Sequence, residues 1–251
     1  MADPRITAEA VKETIGRLGG GFMISREAKA LCERTGLGGR EMYFRGRCGV
    51  LGEVHADVVA SVCVFFEPGH VRESWDGGRA VPAAEAAGMY AEACDEWGRR
   101  RLTGLPEAER LVELLEPVVA AADGYGAPLF AGWRALPLPD DTPARLARLM
   151  HLVRELRGGL HAVAVLSVGL TPLEATLAVA HPGNPARLPD GPAQARFMRW
   201  PEPYPELGPD IVKKRAKAEE LTDELVAPAW SVLGDTDRDD LIHLLERIHN
   251  A

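Results

Sequence analysis

Apolar residues recur at helical spacing in nearly every segment of this chain that shows any periodicity. Val11, Ile15 and Leu18, for example, lie three or four residues apart and predict an amphipathic helix over 7–18. A strand is an alternative only for 56–66, which is rich in β-branched residues. The chain is therefore predicted to be all-α. The other predicted helices are 26–34, 40–48, 56–66, 83–103, 106–122, 143–157, 160–168, 173–180, 210–227 and 237–249.

Glycines and capping residues set the expected helix ends. The glycine run 19–21 should end the first helix, and Gly158-Gly159 should break the chain between 143–157 and 160–168. Ser25 is a candidate N-cap, and Thr171 with Glu174 is typical of a capping box. Segments 56–66 and 160–168 are apolar almost all round, so we expect them among the most buried helices.

A change in composition divides the chain. Eight prolines fall between His181 and Pro209, too many for regular structure. We therefore predict a multi-helix main domain over 1–181, a proline-rich connection over 182–209 and a small C-terminal helical element over 210–251.

Composition and charge exclude several classes of protein. Of the 251 residues, 46% are hydrophobic and 26% charged, which excludes a disordered chain, and no apolar run is long enough to span a membrane. The net charge of -8 disfavours non-specific binding to nucleic acid or anionic lipid. The start of the sequence lacks the apolar core of a signal peptide, and the four cysteines form no CxxC pair. These features predict a cytoplasmic protein with reduced thiols.

Three blocks of sequence, in order and with their spacing, resemble those of one family: MYFRGRCGVLGEVHADVVASVCVFFEPGHV, APLFAGWRALPLPDD and LMHLVRELRGGLHAVAVLSVGLTPLEA. The chain is similar to the actinobacterial SalK/EvbL-like helix-turn-helix family, which carries a MarR-like C-terminal element, over roughly 9–181 and 210–249. The resemblance implies a recognition-like helix before the last two helices. Here that section is ARFMRWPEPYPELGPD, whose prolines cannot accommodate a full helix. We therefore expect a reduced helix-turn-helix-like element and no sequence-specific binding of nucleic acid.

The motif YFRGR is the first candidate for chemistry. Tyr43 is a candidate catalytic residue, and Arg45 and Arg47 are candidate substrate-binding residues, because a guanidinium pairs with carboxylate or phosphate in two places at once. The alternative is that these arginines are surface residues at a helix–loop junction.

Segment 151–161 is the second candidate. Glu155 lies four residues after His151, and Arg154 and Arg157 are three residues apart, so each pair shares a helix face. His161 begins an apolar run and should be buried with a partner for its ring nitrogens. We predict His161 and Glu155 as catalytic residues and Arg154 and Arg157 as substrate-binding residues. Alternatively, His161 is a structural residue at the end of a helix.

Aromatic residues and the absence of cofactor motifs complete the predicted site. Trp133 is retained as a substrate-binding residue, since aromatic walls are typical of ligand pockets. The sequence contains no HExxH, Cys/His zinc pattern, phosphate-binding loop or GxSxG elbow. We expect neither a metal nor any other cofactor.

Two classes of function compete. One is a small-molecule-acting protein of specialised metabolism, with an anionic ligand; as an enzyme it would be a metal-independent lyase, isomerase or cyclase working by cofactor-free acid–base chemistry. The other is a MarR-like, ligand-sensing transcriptional regulator. The acidic C-terminal part favours the first class. A homo- or hetero-dimer through the C-terminal helices is compatible with both, and no membrane partner is expected.

Overall fold

The computed structural model describes residues 3–178 and 190–250, with side chains to residue 248, and confirms the all-α prediction: every regular element in these ranges is helical. Short 3₁₀ turns follow some of the helices. The helices are α1 (Pro4–Gly21), α2 (Arg26–Thr35), α3 (Gly39–Cys48), α4 (Ala56–Val62), α5 (Pro68–Gly77), α6 (Ala83–Leu102), α7 (Ala108–Ala121), α8 (Pro128–Arg134), α9 (Thr142–Ser167), α10 (Pro172–Leu177), α11 (Gly191–Phe197), α12 (Pro209–Trp230) and α13 (Asp235–Asn250).

The predicted capping residues act as expected. Ser25 caps α2 by accepting a hydrogen bond from the backbone N–H of Ala28. At the start of α10, the Thr171 hydroxyl accepts from the N–H of Glu174 at 3.2 Å, and the Glu174 carboxylate accepts from the N–H of Thr171 at 2.8 Å. Each bond satisfies an N–H that the helix itself leaves unpaired.

The prediction that glycines break the chain is wrong at Gly158-Gly159, where α9 runs on without a break. α1 does end with the glycine run, at Gly21, although the glycines themselves are helical. A Cβ on Gly19 would meet the carbonyl oxygen of Met150 at 2.4 Å. A Cβ on Gly159 would meet Ala127 Cα at 2.6 Å. These glycines permit close packing between helices, and packing outweighs the cost of about 1 kcal/mol per helical glycine.

Segments 56–66 and 160–168 are not among the most buried, contrary to expectation. The helix in the first segment is only α4, and Val58 is 43% exposed. In the second, Val163 and Leu166 are 41% and 54% exposed. The most buried helix sequence belongs instead to the first half of α9, where 146–153 is buried throughout.

The described part of the proline-rich stretch contains a helix, α11, although regular structure was not expected there. Its proline lies in the first turn, where a missing N–H costs nothing. The end of predicted helix 173–180, the boundary at 181 and residues 182–189 lie outside the described residues. The division into domains stays a prediction.

Helix α9 forms the centre of the fold and packs against α1, α6, α7, α8 and α12. α12 and α13 also pack on α1. Trp230 and Leu241 of these last two helices belong to the same hydrophobic core as Leu114 and Leu149. Among the described helices, none combines the length and apolar character needed to cross a bilayer.

Candidate functional site

A large cavity lies against α9, with residues of α1, α3 and α12 in its wall. Its volume is about 1380 Å³. Six basic side chains and three acidic ones line it, in a protein whose net charge is -8. The cavity therefore concentrates positive charge inside an acidic molecule. The lining charged residues are Lys12, Glu13, Arg17, Arg47, Arg154, Glu155, Arg157, Arg215 and Glu219.

The structure brings six of the eight predicted site residues to this cavity. They are Tyr43, Arg47, Arg154, Glu155, Arg157 and His161. Arg45 and Trp133 do not line it, and both are fully buried.

Arg45 and Trp133 instead make contacts that hold the fold together. The Arg45 guanidinium donates to Glu53 at 2.5 Å and to the carbonyl of Val81 at 2.7 Å. Trp133 donates from its indole N–H to the carbonyl of Arg47 at 2.9 Å. Their predicted roles in binding a substrate stay untested, but no group of either residue faces the cavity.

The first charged cluster at the cavity is the inner triad, which consists of Arg47, Glu155 and Arg154. The Glu155 carboxylate accepts two hydrogen bonds from Arg47, at 3.0 and 2.8 Å, and one from Arg154 at 2.7 Å. Its side chain is only 1% exposed. Burial alone would raise the pKa of Glu155, but the two guanidinium groups outweigh burial and lower the pKa to about 2. The inner triad therefore ties α3 to α9 and carries one excess positive charge.

Tyr43 extends the inner triad. Its hydroxyl accepts a hydrogen bond from Arg47 at 3.0 Å, which leaves the hydroxyl proton available to another acceptor. Burial raises the pKa of Tyr43, so the side chain stays protonated at neutral pH.

The second cluster is the outer triad, which consists of Arg157, Glu219 and Arg215. Glu219 lies 2.5 Å from a guanidinium nitrogen of each arginine. Burial opposes the charge of Glu219, but Arg157 and Arg215 outweigh it and lower the pKa of Glu219 to about 2. The outer triad ties α9 to α12 and, like the inner triad, carries one excess positive charge.

His161 lies beside the outer triad in a fixed tautomer. Its Nδ1 is 2.8 Å from the Thr222 hydroxyl, which itself donates to the carbonyl of Ala218 at 2.6 Å. Because the hydroxyl proton is used, Nδ1–H is the donor and Nε2 keeps its lone pair. Nε2 lies 3.9 Å from Glu219. Burial lowers the pKa of His161 to about 3, so the ring is neutral at physiological pH.

Sequence reasoning missed the contribution of α12 and α1. Arg215 and Glu219 are four residues apart and share a helix face, which is the one local signal of their pairing. Nothing in the sequence indicates that Glu219 meets Arg157, 62 residues away. The same holds for Lys12, which donates to Asp223 at 2.8 Å. These contacts depend on how α1, α9 and α12 pack.

No three His, Cys, Asp or Glu side chains in the described ranges cluster in a way that would hold a metal ion. Most of the charged side chains that the structure describes at the cavity form ion pairs between arginine or lysine and carboxylates. Such an arrangement can bind an anion by exchanging one carboxylate partner for another.

Several consecutive helices are joined by turns as short as those of a helix-turn-helix, among them two pairs that end in the helices α3 and α13. α2 and α3 are joined by residues 36–38, where Gly36 has φ +73°, and α12 and α13 by residues 231–234. The second helix of the first pair, α3, buries Met42, Phe44 and Arg45. The second helix of the other pair, α13, carries five carboxylates against two arginines. Neither α3 nor α13 therefore has the exposed basic face that binding in a DNA groove requires.

Comparison with known proteins gives one family. No curated protein and no solved structure matches the chain. A helix-turn-helix family matches residues 8–251, which is nearly the whole sequence. The chain therefore belongs to this helix-turn-helix family.

Proposed function

We propose that this protein binds an anionic small molecule in the cavity between α1, α9 and α12. The excess of positive charge carries the proposal, since six basic side chains line the cavity against three acidic ones. Asp223, which does not itself line the cavity, pairs with Lys12. The basic side chains still outnumber the acidic ones when Asp223 is included. A cavity with uncompensated arginines binds anions because each guanidinium regains a partner when it pairs with a carboxylate, phosphate or sulfonate.

Unsatisfied donors support the same proposal. The Nε–H groups of Arg157 and Arg215 are buried and have no acceptor among the described residues. A buried donor without a partner costs about 1–3 kcal/mol, which an oxygen atom of a bound ligand would recover. Both arginines line the cavity, so the outer triad is the favoured position for the anionic group.

Catalysis is a finer proposal about the same cavity. The lone pair of His161 Nε2 is the feature that favours cofactor-free acid–base chemistry such as elimination, isomerisation or ring closure. A pKa of about 3 makes His161 a weak base at neutral pH, whereas general bases work best with a pKa near the working pH. We therefore favour binding without turnover over a lyase, isomerase or cyclase.

Ligand-dependent binding of DNA is the second candidate function, and the family match favours it. This candidate runs against our expectation from the sequence that nucleic acid is not a partner. The exposed Lys213, Lys214 and Lys217 on α12 would supply the phosphate contacts. The test is the fluorescence anisotropy of a labelled duplex from the protein's own promoter region, titrated at several salt concentrations. Nanomolar, ligand-sensitive binding would establish a regulator, and its absence would remove this candidate.

The finer assignment within the family is also a proposal. The three sequence blocks support a SalK/EvbL-like, actinobacterial member, and with it a setting in specialised metabolism. The four cysteines are free thiols, which supports a reducing compartment such as the cytoplasm. Leu225 of α12 and Val232 beyond it are exposed and support a dimer through the C-terminal helices.

Filling the cavity tests the proposed function. A Cβ on Gly158 would meet nothing within 4 Å, and Gly158 lines the cavity. Gly158→Leu should therefore block the ligand without disturbing the packing. We would measure the shift in melting temperature of wild type and Gly158→Leu with a panel of carboxylates, phosphates and sulfonates.

Gly88→Leu is the matched control, because Gly88 is also a helical glycine with open space around its Cβ and does not line the cavity. We expect anions to stabilise wild type and Gly88→Leu but not Gly158→Leu. The proposal is wrong if no anion stabilises the wild type, or if Gly158→Leu responds as strongly as the control.

A further inference from the structure

The wall of the cavity contains an unusual concentration of exposed apolar side chains. Half of the large hydrophobic residues that are exposed in the described ranges line this cavity. Soluble proteins rarely group exposed apolar residues unless the group binds something. We call these five residues the apolar rim: Ile24, Val163, Leu166, Phe197 and Val212.

We propose that the ligand is an amphipathic organic anion, with its charged group at the outer triad and a large apolar body along the apolar rim. This inference rests on the proposed function and adds the chemical class of the ligand. A small hydrophilic anion would satisfy the arginines but leave the rim exposed to water. A neutral apolar molecule would cover the rim but leave the buried donors of Arg157 and Arg215 without acceptors.

The rim residues come from separate parts of the chain and converge on the same cavity. Val163 and Leu166 belong to the C-terminal half of α9, and Val212 belongs to the first turn of α12. The outer triad lies on these same two helices, one to three turns away: Arg157 precedes Leu166 by nine residues on α9, which is roughly 13 Å along a helix. A ligand that reaches from Arg157 to Leu166 is therefore long.

The size of the cavity agrees with a large ligand. Its volume of about 1380 Å³ exceeds the range of roughly 300–1,000 Å³ that is usual for small-molecule pockets. Gly16 and Gly158 both line it, and a Cβ on either would meet nothing within 4 Å. The apolar part of the interior includes Phe65, whose ring lies 5.4 Å from that of His161. An apolar body could therefore extend from the rim to the histidine.

The test compares three probes by isothermal titration calorimetry on the full chain. Decanoate has both a charge and an apolar body, decanol has only the body and acetate has only the charge. We expect decanoate to bind at least about tenfold more tightly than decanol or acetate, because it alone satisfies both parts of the site. Equal affinity for decanol and decanoate, or for acetate and decanoate, would overturn the inference.

Rim variants place the apolar body. Leu166→Ser should lower the affinity for decanoate about fivefold, because the substitution removes apolar surface that the ligand covers. Ile6→Ser is the matched control: Ile6 is exposed to a similar degree, 44% against 54%, and does not line the cavity. An unchanged affinity in Leu166→Ser, or the same loss in both variants, would contradict binding along the rim.

The two proposals fail in different ways. If acetate binds as tightly as decanoate and Leu166→Ser has no effect, the cavity binds anions and only the amphipathic class is wrong. If no anion binds, both proposals are wrong. If decanoate binds but Gly158→Leu leaves its affinity unchanged, the ligand lies outside the cavity and both proposals are again wrong.

Discussion

The inner and outer triads have the same composition and differ in what surrounds them. Each consists of two arginines that share one glutamate, and each has a histidine nearby, His151 for the inner and His161 for the outer. The Glu155 side chain is 1% exposed, whereas that of Glu219 is 31% exposed. The inner triad joins two helices of the core, and the outer triad joins α9 to the C-terminal helix α12.

This difference in burial separates a structural ion cluster from a candidate binding site. Glu155 cannot leave Arg47 and Arg154 without stranding the guanidinium of Arg47, whose side chain is only 12% exposed, and this is costly in a low-dielectric interior. Glu219 is in contact with solvent, so a ligand anion can share or replace it at Arg157 and Arg215. The same three residue types therefore stabilise the fold at one position and are available to a ligand at the other.

The largest effect that we predict is on folding stability at the inner triad. Glu155→Gln should lower the free energy of unfolding by about 3–5 kcal/mol, because it leaves Arg47 and Arg154 without a buried counter-charge. Glu219→Gln should cost only about 1 kcal/mol, since the Glu219 carboxylate is itself partly exposed to water, which screens its interaction with the arginines. Urea unfolding of both variants measures the difference. Equal losses would show that burial does not distinguish the two triads.

The two histidines should make the protein sensitive to mild acid. Burial lowers the pKa of both His151 and His161 to about 3, so the native rings stay neutral while the unfolded rings take up protons below about pH 6.5. Stability is therefore lost as the pH falls, by about 2 kcal/mol per histidine between about pH 6.5 and 5. The two triad glutamates, with pKa values of about 2, lose their contribution only below about pH 4.5.

The prediction is tested by measuring the free energy of urea unfolding at about pH 7 and about pH 5, for the wild type and for His161→Gln. The variant lacks one titrating ring and should lose about 2 kcal/mol less than wild type over this interval. An identical loss in both proteins would mean that His161 ionises normally in the folded state. In that case the ring is accessible to water, and the objection to its acting as a base would be removed.

Local sequence signals predicted the helices and several of the charged residues that line the cavity. Helical spacing placed the helices, and Thr171 and Glu174 formed the expected capping box. The spacing within segment 151–161 also singled out Arg154, Glu155, Arg157 and His161, all of which line the cavity. These signals succeed because they act between residues that are close in the chain.

The sequence could not predict how the helices pack. Gly158 and Gly159 are adjacent glycines that the sequence does not distinguish. A Cβ on Gly158 would nevertheless meet nothing within 4 Å, whereas Gly159 packs against Ala127. The apolar pattern of 160–168 indicates a buried helix, whereas Val163 and Leu166 face the open cavity. The partner of Arg157 is Glu219, which lies on a helix that the local pattern does not connect to α9.

Two substitutions in the outer triad should change the affinity for the ligand in opposite directions. Arg157→Ala should weaken the binding of decanoate about tenfold or more, because it removes a donor pair for the anion. Glu219→Gln should strengthen binding about tenfold, because it removes a competing negative charge from the same arginines.

Titration calorimetry of the two variants checks both signs. If Arg157 serves only to hold Glu219, Arg157→Ala will lower the melting temperature and leave the affinity unchanged, and the anion must then bind elsewhere. His161→Ala serves as a further comparison: a stable variant with unchanged binding would exclude the histidine from the site.

The smallest effect concerns the two glycines that directly follow Arg157 on α9. Gly158→Ala should raise the free energy of unfolding by about 0.5–1 kcal/mol, because alanine favours the helix and its Cβ meets nothing within 4 Å. Gly159→Ala should have the opposite sign, because its Cβ would meet Ala127 Cα at 2.6 Å and the carbonyl oxygen of Gly126 at 2.7 Å. Both variants replace glycine by alanine in the same helix, so the gain in helix propensity is the same. Thermal unfolding of the two single variants therefore measures the difference in packing around the new Cβ. If both variants were destabilised, the space beside Gly158 would not be open, and the route by which a ligand could reach the outer triad along α9 would be closed.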